Sequence, residues 1–252
     1  MIEKWLLIGT DERFQYVKHL FEEDGINCQR YVGDHVTSEL IALIQKEQPK
    51  HIVFPVTGFT GELTIPHRVT VYLGKQSRNQ MLHLQHENSQ IYHYLQDEPF
   101  IWENAALTAE AFLQVFYQQT AQSITSRPIY IAGFGRLGKM LAFRLGALKA
   151  QVVIISSIDK ELAEAEALGY SAKKLADSDD FSNHYVINTI PNKWYCETFT
   201  PPLHLFDLAS SPGCLTTSRQ VEYYTILPGL PGKYFPEAAA KCLYKVLIRI
   251  RG

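Results

Sequence analysis

The sequence predicts an α/β fold in which a doubly wound parallel sheet follows a smaller α/β domain. Short apolar runs of strand length alternate with amphipathic helical patterns in both halves of the chain, which is typical of parallel sheets covered by helices. A long helical pattern over residues 104–124 separates the halves. One strand of the second half runs into three glycines, Gly133, Gly135 and Gly138, and then into a helix. These observations indicate two α/β domains joined by a long helix.

The first domain is predicted to cover residues 1–103 and to be flavodoxin-like. Strands are expected at 5–8, 28–32, 51–56 and 69–73, and helices at 13–23 and 40–46. Loops at the carboxyl ends of parallel strands face the ligand, so Thr57, Thr60 and Gly61, after the third strand, are candidates for binding a substrate. Residues 104–126 are assigned to the linking helix.

The second domain is predicted over residues 127–252, with the C-terminal helix included. Strands are expected at 129–132, 152–156, 185–189, 203–208 and 223–227, and helices at 136–148, 160–168 and 235–249. This regular alternation, with right-handed crossovers, indicates a Rossmann-type sheet.

Composition restricts the class of partner. The 46% of hydrophobic residues can build a sizeable core, and the net charge of −2 argues against a nucleic-acid partner. No apolar run approaches the length of a membrane span, and the N-terminus lacks the features of a signal peptide. The four scattered cysteines favour a reducing cytoplasm over a disulfide framework.

The three glycines have the G-x-G-x-x-G spacing of a dinucleotide-binding turn. Gly133 permits the tight strand-to-helix turn, Gly135 lets the backbone approach a pyrophosphate, and Gly138 allows close packing of helix on strand. The amides of Arg136 and Leu137 open the helix, where its positive end attracts an anion. These five residues are predicted to bind a dinucleotide.

The next strand tip bears on the choice of dinucleotide. Ser156, Ser157 and Lys160 would hold the 2′-phosphate of NADP, because an NAD site normally places a carboxylate at the tip and none stands there. Asp159 leaves NAD open, since a shift of two residues would make it the ribose ligand. A helix N-cap is the structural alternative for Asp159.

Later strand tips supply the remaining candidates. Asp207 is expected to be buried and to bond loop amides rather than act in catalysis. Cofactor contacts are predicted for Asn188, Thr189, Ile190, Pro191, Leu208 and Ala209. Substrate contacts are predicted for Ser210, Ser211, Gly229 and Lys233. At two of these tips a purely structural interpretation stays open, namely a strand stop at Pro191 and a rigid loop at 228–232.

No spacing identifies a catalytic residue, because neither a nucleophile with its base nor a defined pair of carboxylates occurs. A cofactor that carries the reaction would make such a pair unnecessary. His83, His86 and His93 lack cysteine or acidic partners at ligand spacing apart from Glu87, so no metal site is predicted. Four side chains stay equal candidates for a base: His67, His83, His86 and Lys233.

Several motifs resemble the A subunit of dipicolinate synthase from spore-forming bacteria. Three lie in order behind the glycine turn: Ile-Asn-Thr-Ile-Pro at 187–191, Asp-Leu-Ala-Ser-Ser-Pro-Gly at 207–213 and Pro-Gly-Leu-Pro-Gly at 228–232. Three lie upstream: Gly-Thr-Asp at 9–11, Pro-Val-Thr-Gly-Phe-Thr-Gly at 55–61 and Thr-Ala-Glu at 108–110. Ser211 replaces the family's arginine, and Ser156 and Ser157 stand where the family tends to have arginine. The segment between Gly61 and Pro99 is much shorter than in the family, so part of the N-terminal domain is expected to be missing.

The resemblance implies an NAD(P)-dependent oxidoreductase that forms dipicolinate from a dihydrodipicolinate-type precursor in sporulation. It further implies a homodimer, a small dicarboxylate-like substrate and a flavoprotein-like B subunit. Two other functions stay open. One is a non-catalytic subunit that binds NAD(P), and the other is a different small-acid dehydrogenase on the same fold.

Overall fold

The computed structural model describes residues 3–56, 58–65, 68–75, 80–84, 89–175, 180–196, 199–217 and 221–251. The chain divides into two compact units. Unit 1 combines Met1–Asn104 with Pro231–Gly252, and unit 2 is the continuous segment Ala105–Leu230. Each unit holds half of the chain, so the domain that begins the chain is not the smaller one that the sequence predicts.

Unit 1 contains a parallel sheet of the flavodoxin-like order. Its elements up to residue 93 are β1 (Lys4–Ile8), α1 (Arg13–Glu23), β2 (Asn27–Tyr31), α2 (Ser38–Glu47), β3 (His51–Val53), β4 (Gly61–Ile65), β5 (Thr70–Leu73), β6 (Gln80–Leu84) and β7 (Gln90–His93). Among the described residues the sheet order is β2-β1-β3-β5-β7, so five strands taken in chain order give the arrangement 2-1-3-4-5. The strands β4 and β6 form a separate parallel pair, which the sequence does not reveal.

The linking helix is α3 (Glu98–Thr120), which begins six residues before its predicted start. Asp97 caps it, because its Oδ1 accepts a hydrogen bond of 2.9 Å from the amide of Phe100. Pro99 stands in the first turn, where a missing N–H removes no helical bond. The helix ends before Ala121, which has a left-handed φ of +51°.

Unit 2 contains the predicted Rossmann-type sheet. Its elements after α3 are β8 (Pro128–Ala132), α4 (Arg136–Ala147), β9 (Gln151–Ser156), α5 (Asp159–Ala167), β10 (Ser171–Lys174), β11 (Tyr185–Asn188), β12 (His204–Asp207) and β13 (Tyr224–Ile226). In the described part of this unit the parallel strands follow the order β10-β9-β8-β11-β12-β13. In chain order this is 3-2-1-4-5-6, the arrangement of dinucleotide-binding folds.

Two helices follow β13, namely α6 (Leu230–Tyr234) and α7 (Pro236–Arg251). The structure corrects the predicted domain boundary here, because α7 packs against α1 in unit 1 rather than on the Rossmann sheet. Its buried residues Ala240, Leu243 and Leu247 join a cluster that contains Phe14 and Phe21 of α1. The apolar face of α7 is visible in the sequence, but the sheet that it covers is not.

Strand β1 lies between β2 and β3 in unit 1 and is buried on both faces. Leu7 faces the cluster formed with α1 and α7, whereas Leu6 and Ile8 face a second cluster that includes Leu40 of α2. Burial on both faces explains why β1 is a continuous apolar run rather than an alternating one. None of the described helices combines the length and apolar character needed to cross a membrane.

Candidate functional site

The turn after β8 requires glycine at its first position. Gly133 has a φ of +89°, and a Cβ built on it would lie 2.7 Å from Oγ1 of Thr189. Its amide donates a hydrogen bond of 2.9 Å to the carbonyl of Ile155, at the end of β9. The turn is therefore held between β9 and Thr189, the residue that follows β11. This is the tight strand-to-helix turn that the sequence predicts at Gly133.

Gly138 brings α4 into direct contact with this turn. A Cβ on Gly138 would lie 2.3 Å from the carbonyl oxygen of Gly133, which is closer than any side chain can approach. Thr189 strengthens the same junction, because its hydroxyl donates a hydrogen bond of 2.8 Å to the carbonyl of Ala132. Helix, strand and turn are thus packed at backbone distance, as expected for the third glycine of the motif.

Gly135 has open space where its side chain would be, since nothing lies within 4 Å of a Cβ built on it. It is the N-cap of α4, with no side-chain cap and no acidic residue in the first turn of the helix. The first hydrogen bond of the helix joins the amide of Lys139 to the carbonyl of Gly135. The amide of Leu137 lies before this bond and therefore has no acceptor within the helix. The positive end of α4 is therefore open to a bulky anion such as a pyrophosphate.

The tip of β9 is held by hydrogen bonds within the protein. Ser156 is buried, and its hydroxyl donates a hydrogen bond of 2.6 Å to Oε2 of Glu161. The same hydroxyl accepts a bond of 3.1 Å from the amide of Ile158. The donor and acceptor functions of the hydroxyl are thus both used within the protein, whereas the sequence predicts a contact of Ser156 with a 2′-phosphate. Ser157 and Lys160 are exposed.

The carboxylate that the sequence does not reveal at this tip is Glu161, in the first turn of α5. Its Oε2 also accepts a hydrogen bond of 3.0 Å from the amide of Phe134, between the first two glycines. Asp159 is not the N-cap, since Ile158 occupies that position, and it forms an ion pair of 2.8 Å with Lys174. The sequence position of Glu161, within one turn of the start of the helix after β9, could have indicated that its carboxylate reaches the strand tip.

Asn188, at the end of β11, is structural. Its amide donates to Oδ1 of Asp207 at 2.8 Å and to the carbonyl of Ile190 at 3.0 Å. Its Oδ1 accepts from the amide of Ile190 at 3.0 Å and from the indole of Trp194 at 2.9 Å. The side chain of Asn188 is buried and its hydrogen-bonding capacity is filled within the protein, so its role here is to position the neighbouring strand tips.

Asp207 is the buried centre of the neighbouring tip, as the sequence predicts. Besides Asn188, its carboxylate accepts hydrogen bonds from the amides of Ala209 at 3.0 Å and Cys214 at 2.7 Å, and from the hydroxyl of Tyr224 at 2.6 Å. Burial, followed by the neighbouring Asp207, raises the pKa of the Cys214 thiol and of the Tyr224 phenol. Both groups therefore stay protonated and act as fixed parts of the tip.

The other residues predicted at these tips differ in accessibility. Leu208 is buried, whereas Ile190 and Ala209 are half-buried. The exposed candidates are Pro191, Ser210, Ser211 and Gly229 in unit 2, and Lys233 in unit 1. Accessible side chains at Ser210 and Ser211 are compatible with binding a substrate.

In unit 1, Thr60 and Gly61 lie against the segment that precedes α2. The amide of Thr60 donates to the carbonyl of Asp34 at 2.9 Å, and its own carbonyl accepts from the amide of Val36 at 3.0 Å. Gly61 has a φ of +103°, so it turns the chain into β4. Thr57 lies outside the described residues.

Of the candidate bases and the histidines weighed as metal ligands, His83 is exposed, and its Nε2 lies 2.7 Å from a carboxylate oxygen of Glu62. His67, His86 and Glu87 lie outside the described residues. Within the parts of the chain that the structure describes, no group of three histidine, cysteine or acidic residues is arranged to hold a metal ion.

No protein-family model matches the chain, and no curated protein matches its sequence. In structure the chain is similar to the A chain of dipicolinate synthase from Bacillus subtilis, with a TM-score of 0.73 and 19% identity over 100% of this chain and 96% of that chain. The A subunit of dipicolinate synthase from Bacillus halodurans gives the same TM-score and identity over 98% and 97% of the two chains. D-lactate dehydrogenase from Escherichia coli matches with a TM-score of 0.57 and 11% identity over 98% and 96%.

These likenesses concern the fold. The alignments with the two dipicolinate synthase chains span nearly the full length of both partners, so they give no support to the expectation that part of the N-terminal domain is missing. The chain therefore has the two-part α/β fold of these structures, with a flavodoxin-like sheet in unit 1 and a Rossmann-type sheet in unit 2.

Proposed function

We propose that unit 2 binds NAD(P) and that the chain is an oxidoreductase of the same type as the A subunit of dipicolinate synthase. The observation that carries the proposal is the glycine turn of a 3-2-1-4-5-6 sheet. Its middle glycine, Gly135, leaves open space in front of an uncapped helix end. A tight turn without that space would serve only packing, whereas this one accommodates a pyrophosphate.

The residues around the turn have distinct roles in this proposal. Gly135 gives the pyrophosphate room, and the amides of Arg136 and Leu137 face it at the start of α4. Thr189 and Ile190, next to the turn, lie on the side where the nicotinamide ribose is expected, with Pro191, Leu208 and Ala209 nearby along the strand tips. When bound, the nicotinamide supplies the hydride acceptor or donor, so the chain needs no nucleophile of its own.

The finer part of the proposal concerns the reaction. Motifs at 187–191, 207–213 and 228–232 resemble those of the dipicolinate synthase family, and its A-chain structures have a higher TM-score, 0.73, than the D-lactate dehydrogenase, 0.57. We accordingly infer a small dicarboxylate-like substrate, a dihydrodipicolinate-type precursor, and a flavoprotein-like B subunit in sporulation. A homodimer and a cytoplasmic location belong to the same proposal.

Substrate contacts are proposed in each unit by itself: for Ser210, Ser211 and Gly229 in unit 2, and for Thr57, Thr60, Gly61 and Lys233 in unit 1. Lys233 is exposed and is the cation of this set, so it suits a carboxylate. Ser211 cannot replace the bidentate grip of the arginine that the family has at this position.

Substitution of Gly135 tests nucleotide binding without disturbing the fold. Its backbone angles are open to any residue, with φ −71° and ψ −166°, and aspartate is a favourable N-cap. Gly135→Asp should leave thermal stability unchanged or raised, while its carboxylate repels the pyrophosphate. We expect NADH and NADPH affinity, measured by calorimetry, to fall at least about tenfold, since a charge-assisted phosphate contact is worth about 1.5–3 kcal/mol.

Gly146→Ala, near the end of α4, is the matched control. A Cβ there makes an ordinary contact of 3.7 Å with Tyr170, so the affinity for both nucleotides should stay the same. The proposal would be contradicted if the unmodified chain bound neither NADH nor NADPH.

The finer part of the proposal, the reaction, is tested by NAD(P)-linked turnover of a dihydrodipicolinate-type substrate with the B subunit. Nucleotide binding without turnover would favour a non-catalytic role, and turnover of 2-hydroxy acids by the chain alone would favour a small-acid dehydrogenase.

A further inference from the structure

Glu161 brings a negative charge to the tip of β9, where the sequence shows only hydroxyls. One carboxylate oxygen, Oε2, is fixed by two donors, the hydroxyl of Ser156 at 2.6 Å and the amide of Phe134 at 3.0 Å. The other oxygen, Oε1, makes no hydrogen bond to any residue that the structure describes. The carboxylate is thus held in place with one acceptor still available.

The two donors locate Glu161 within the fold. Phe134 lies between the first two glycines of the turn, and Ser156 is the last residue of β9. In a sheet of order 3-2-1-4-5-6, the adenosine ribose of a bound dinucleotide lies between this turn and this strand tip. Glu161 therefore reaches, from the first turn of α5, the position that an NAD-binding carboxylate normally occupies from the strand itself.

The charges around Glu161 leave its carboxylate unneutralised. Lys139 pairs with Glu164 at 2.6 Å, and Lys174 pairs with Asp159 at 2.8 Å. Within the described part of the chain, no lysine or arginine forms an ion pair with Glu161. The adjacent Lys160 is exposed. A 2′-phosphate brought to this position would meet a fixed carboxylate of like charge.

We propose that Glu161 selects NAD over NADP by accepting a hydrogen bond from the adenosine ribose 2′-hydroxyl on Oε1 and repelling a 2′-phosphate. This inference rests on the proposed nucleotide binding by unit 2. It reverses the preference for NADP that Ser156, Ser157 and Lys160 suggest in the sequence. Ser156 acts as a positioning residue, because it aims the carboxylate and does not touch the nucleotide.

Equilibrium binding of NADH and NADPH, by calorimetry or quenching of tryptophan fluorescence, tests the proposal. The unmodified chain should bind NADH at least about tenfold more tightly, since a hydrogen bond to a charged group is worth about 1.5–3 kcal/mol. In Glu161→Gln, NADH should bind more weakly and NADPH more tightly, so that the preference falls by about tenfold or more. Glu166→Gln, the same exchange at an exposed position of α5, is the matched control and should leave the preference for NADH unchanged.

Ser156→Ala covers the case in which Glu161→Gln folds poorly, because it retains the charge and removes only one positioning contact. It should weaken NADH binding while NADPH stays rejected. A preference of the unmodified chain for NADPH, or equal changes for both nucleotides in Glu161→Gln, would overturn this inference and leave the proposed function intact. Failure to bind either nucleotide would overturn the proposed function and this inference together.

Discussion

At the scale of single residues, the strand tips of unit 2 divide into fixed and accessible groups. Asn188 and Asp207 are buried and fully hydrogen-bonded, whereas Ser210 and Ser211 are exposed. The sequence predicts that these positions lie at strand ends, but polar residue types do not show which side chains are used up internally. Ser156 illustrates this, because its partner Glu161 is identified only when helix and strand are brought together.

The buried carboxylate of Asp207 is predicted to be indispensable for stability. In Asp207→Asn an NH2 group replaces one acceptor oxygen, so it opposes the amide of Cys214 if it takes the place of Oδ2 and the amide of Ala209 if it takes the place of Oδ1. We expect the free energy of unfolding in urea to fall by about 2–4 kcal/mol, because buried donors lose their acceptor. Asp159→Asn, exposed and paired with Lys174, is the control and should cost less than about 0.5 kcal/mol. Equal losses in the two variants would show that the cluster around Asp207 is not a stabilising network.

At the scale of elements, the sequence predicts strands well when they are apolar and poorly when they are exposed. Helix α1 is found at its predicted bounds, 13–23, and β1 and β8 extend by one residue each. Strand β10 was missed because Ser-Ala-Lys-Lys is a polar edge segment without an apolar run. Strand β4 was missed because it has only two buried side chains, Leu63 and Ile65.

The junction of α4 and β8 yields a prediction in which two effects compete. Gly138→Ala improves helix propensity by about 1 kcal/mol, but its Cβ would lie 2.3 Å from the carbonyl of Gly133. A backbone carbonyl cannot move aside as a flexible side chain can, and overpacking costs about 1–3 kcal/mol. We expect a net loss of stability and weaker nucleotide binding, measured by urea unfolding and calorimetry.

Gly146→Ala, in the same helix, isolates the propensity term because its Cβ has room. It should raise the free energy of unfolding by up to about 1 kcal/mol without a change in nucleotide affinity. If both alanine variants were stabilised alike, the close packing of Gly138 on the turn would be refuted.

At the scale of the whole molecule, the alternation of strands and helices and the type of the two larger sheets follow from the sequence, whereas the limits of the units do not. The alternation of strands and helices is local information. The assignment of α7 to unit 1 depends on the surface against which its apolar face packs. That surface is formed by α1, which is far from α7 in the sequence. A domain boundary drawn from sequence order therefore placed α7 with the nearer sheet.

Each unit also contains a histidine that makes stability depend on pH, namely the buried His51 in unit 1 and the half-buried His204 in unit 2. Desolvation by burial lowers the pKa of His51 in unit 1 and of His204 in unit 2 below the ordinary value of 6.5. The unfolded chain then binds protons more readily than the folded chain just below that pH. Their contribution to stability is complete above about pH 6.5 and is lost as the pH falls through the folded-state values.

Urea unfolding at about pH 7.5 and about pH 5.5 measures this effect, and the chain should be less stable at the lower pH. His51→Gln and His204→Gln should each reduce the difference between the two conditions. His19→Gln is the control, because that side chain is exposed and pairs with Glu22 at 3.4 Å. A pH dependence that persists unchanged in the double variant of His51 and His204 would contradict the assignment.

The return of α7 to unit 1 has a consequence for biosynthesis. Unit 2 is an uninterrupted stretch of chain, whereas the core of unit 1 needs Leu243 and Leu247, which are translated after all of unit 2. Domains that form during synthesis ordinarily do so from the N-terminus onward. In this chain unit 2 can fold on the ribosome as soon as it is synthesised. The first part of unit 1 keeps an exposed apolar face until α7 has been synthesised.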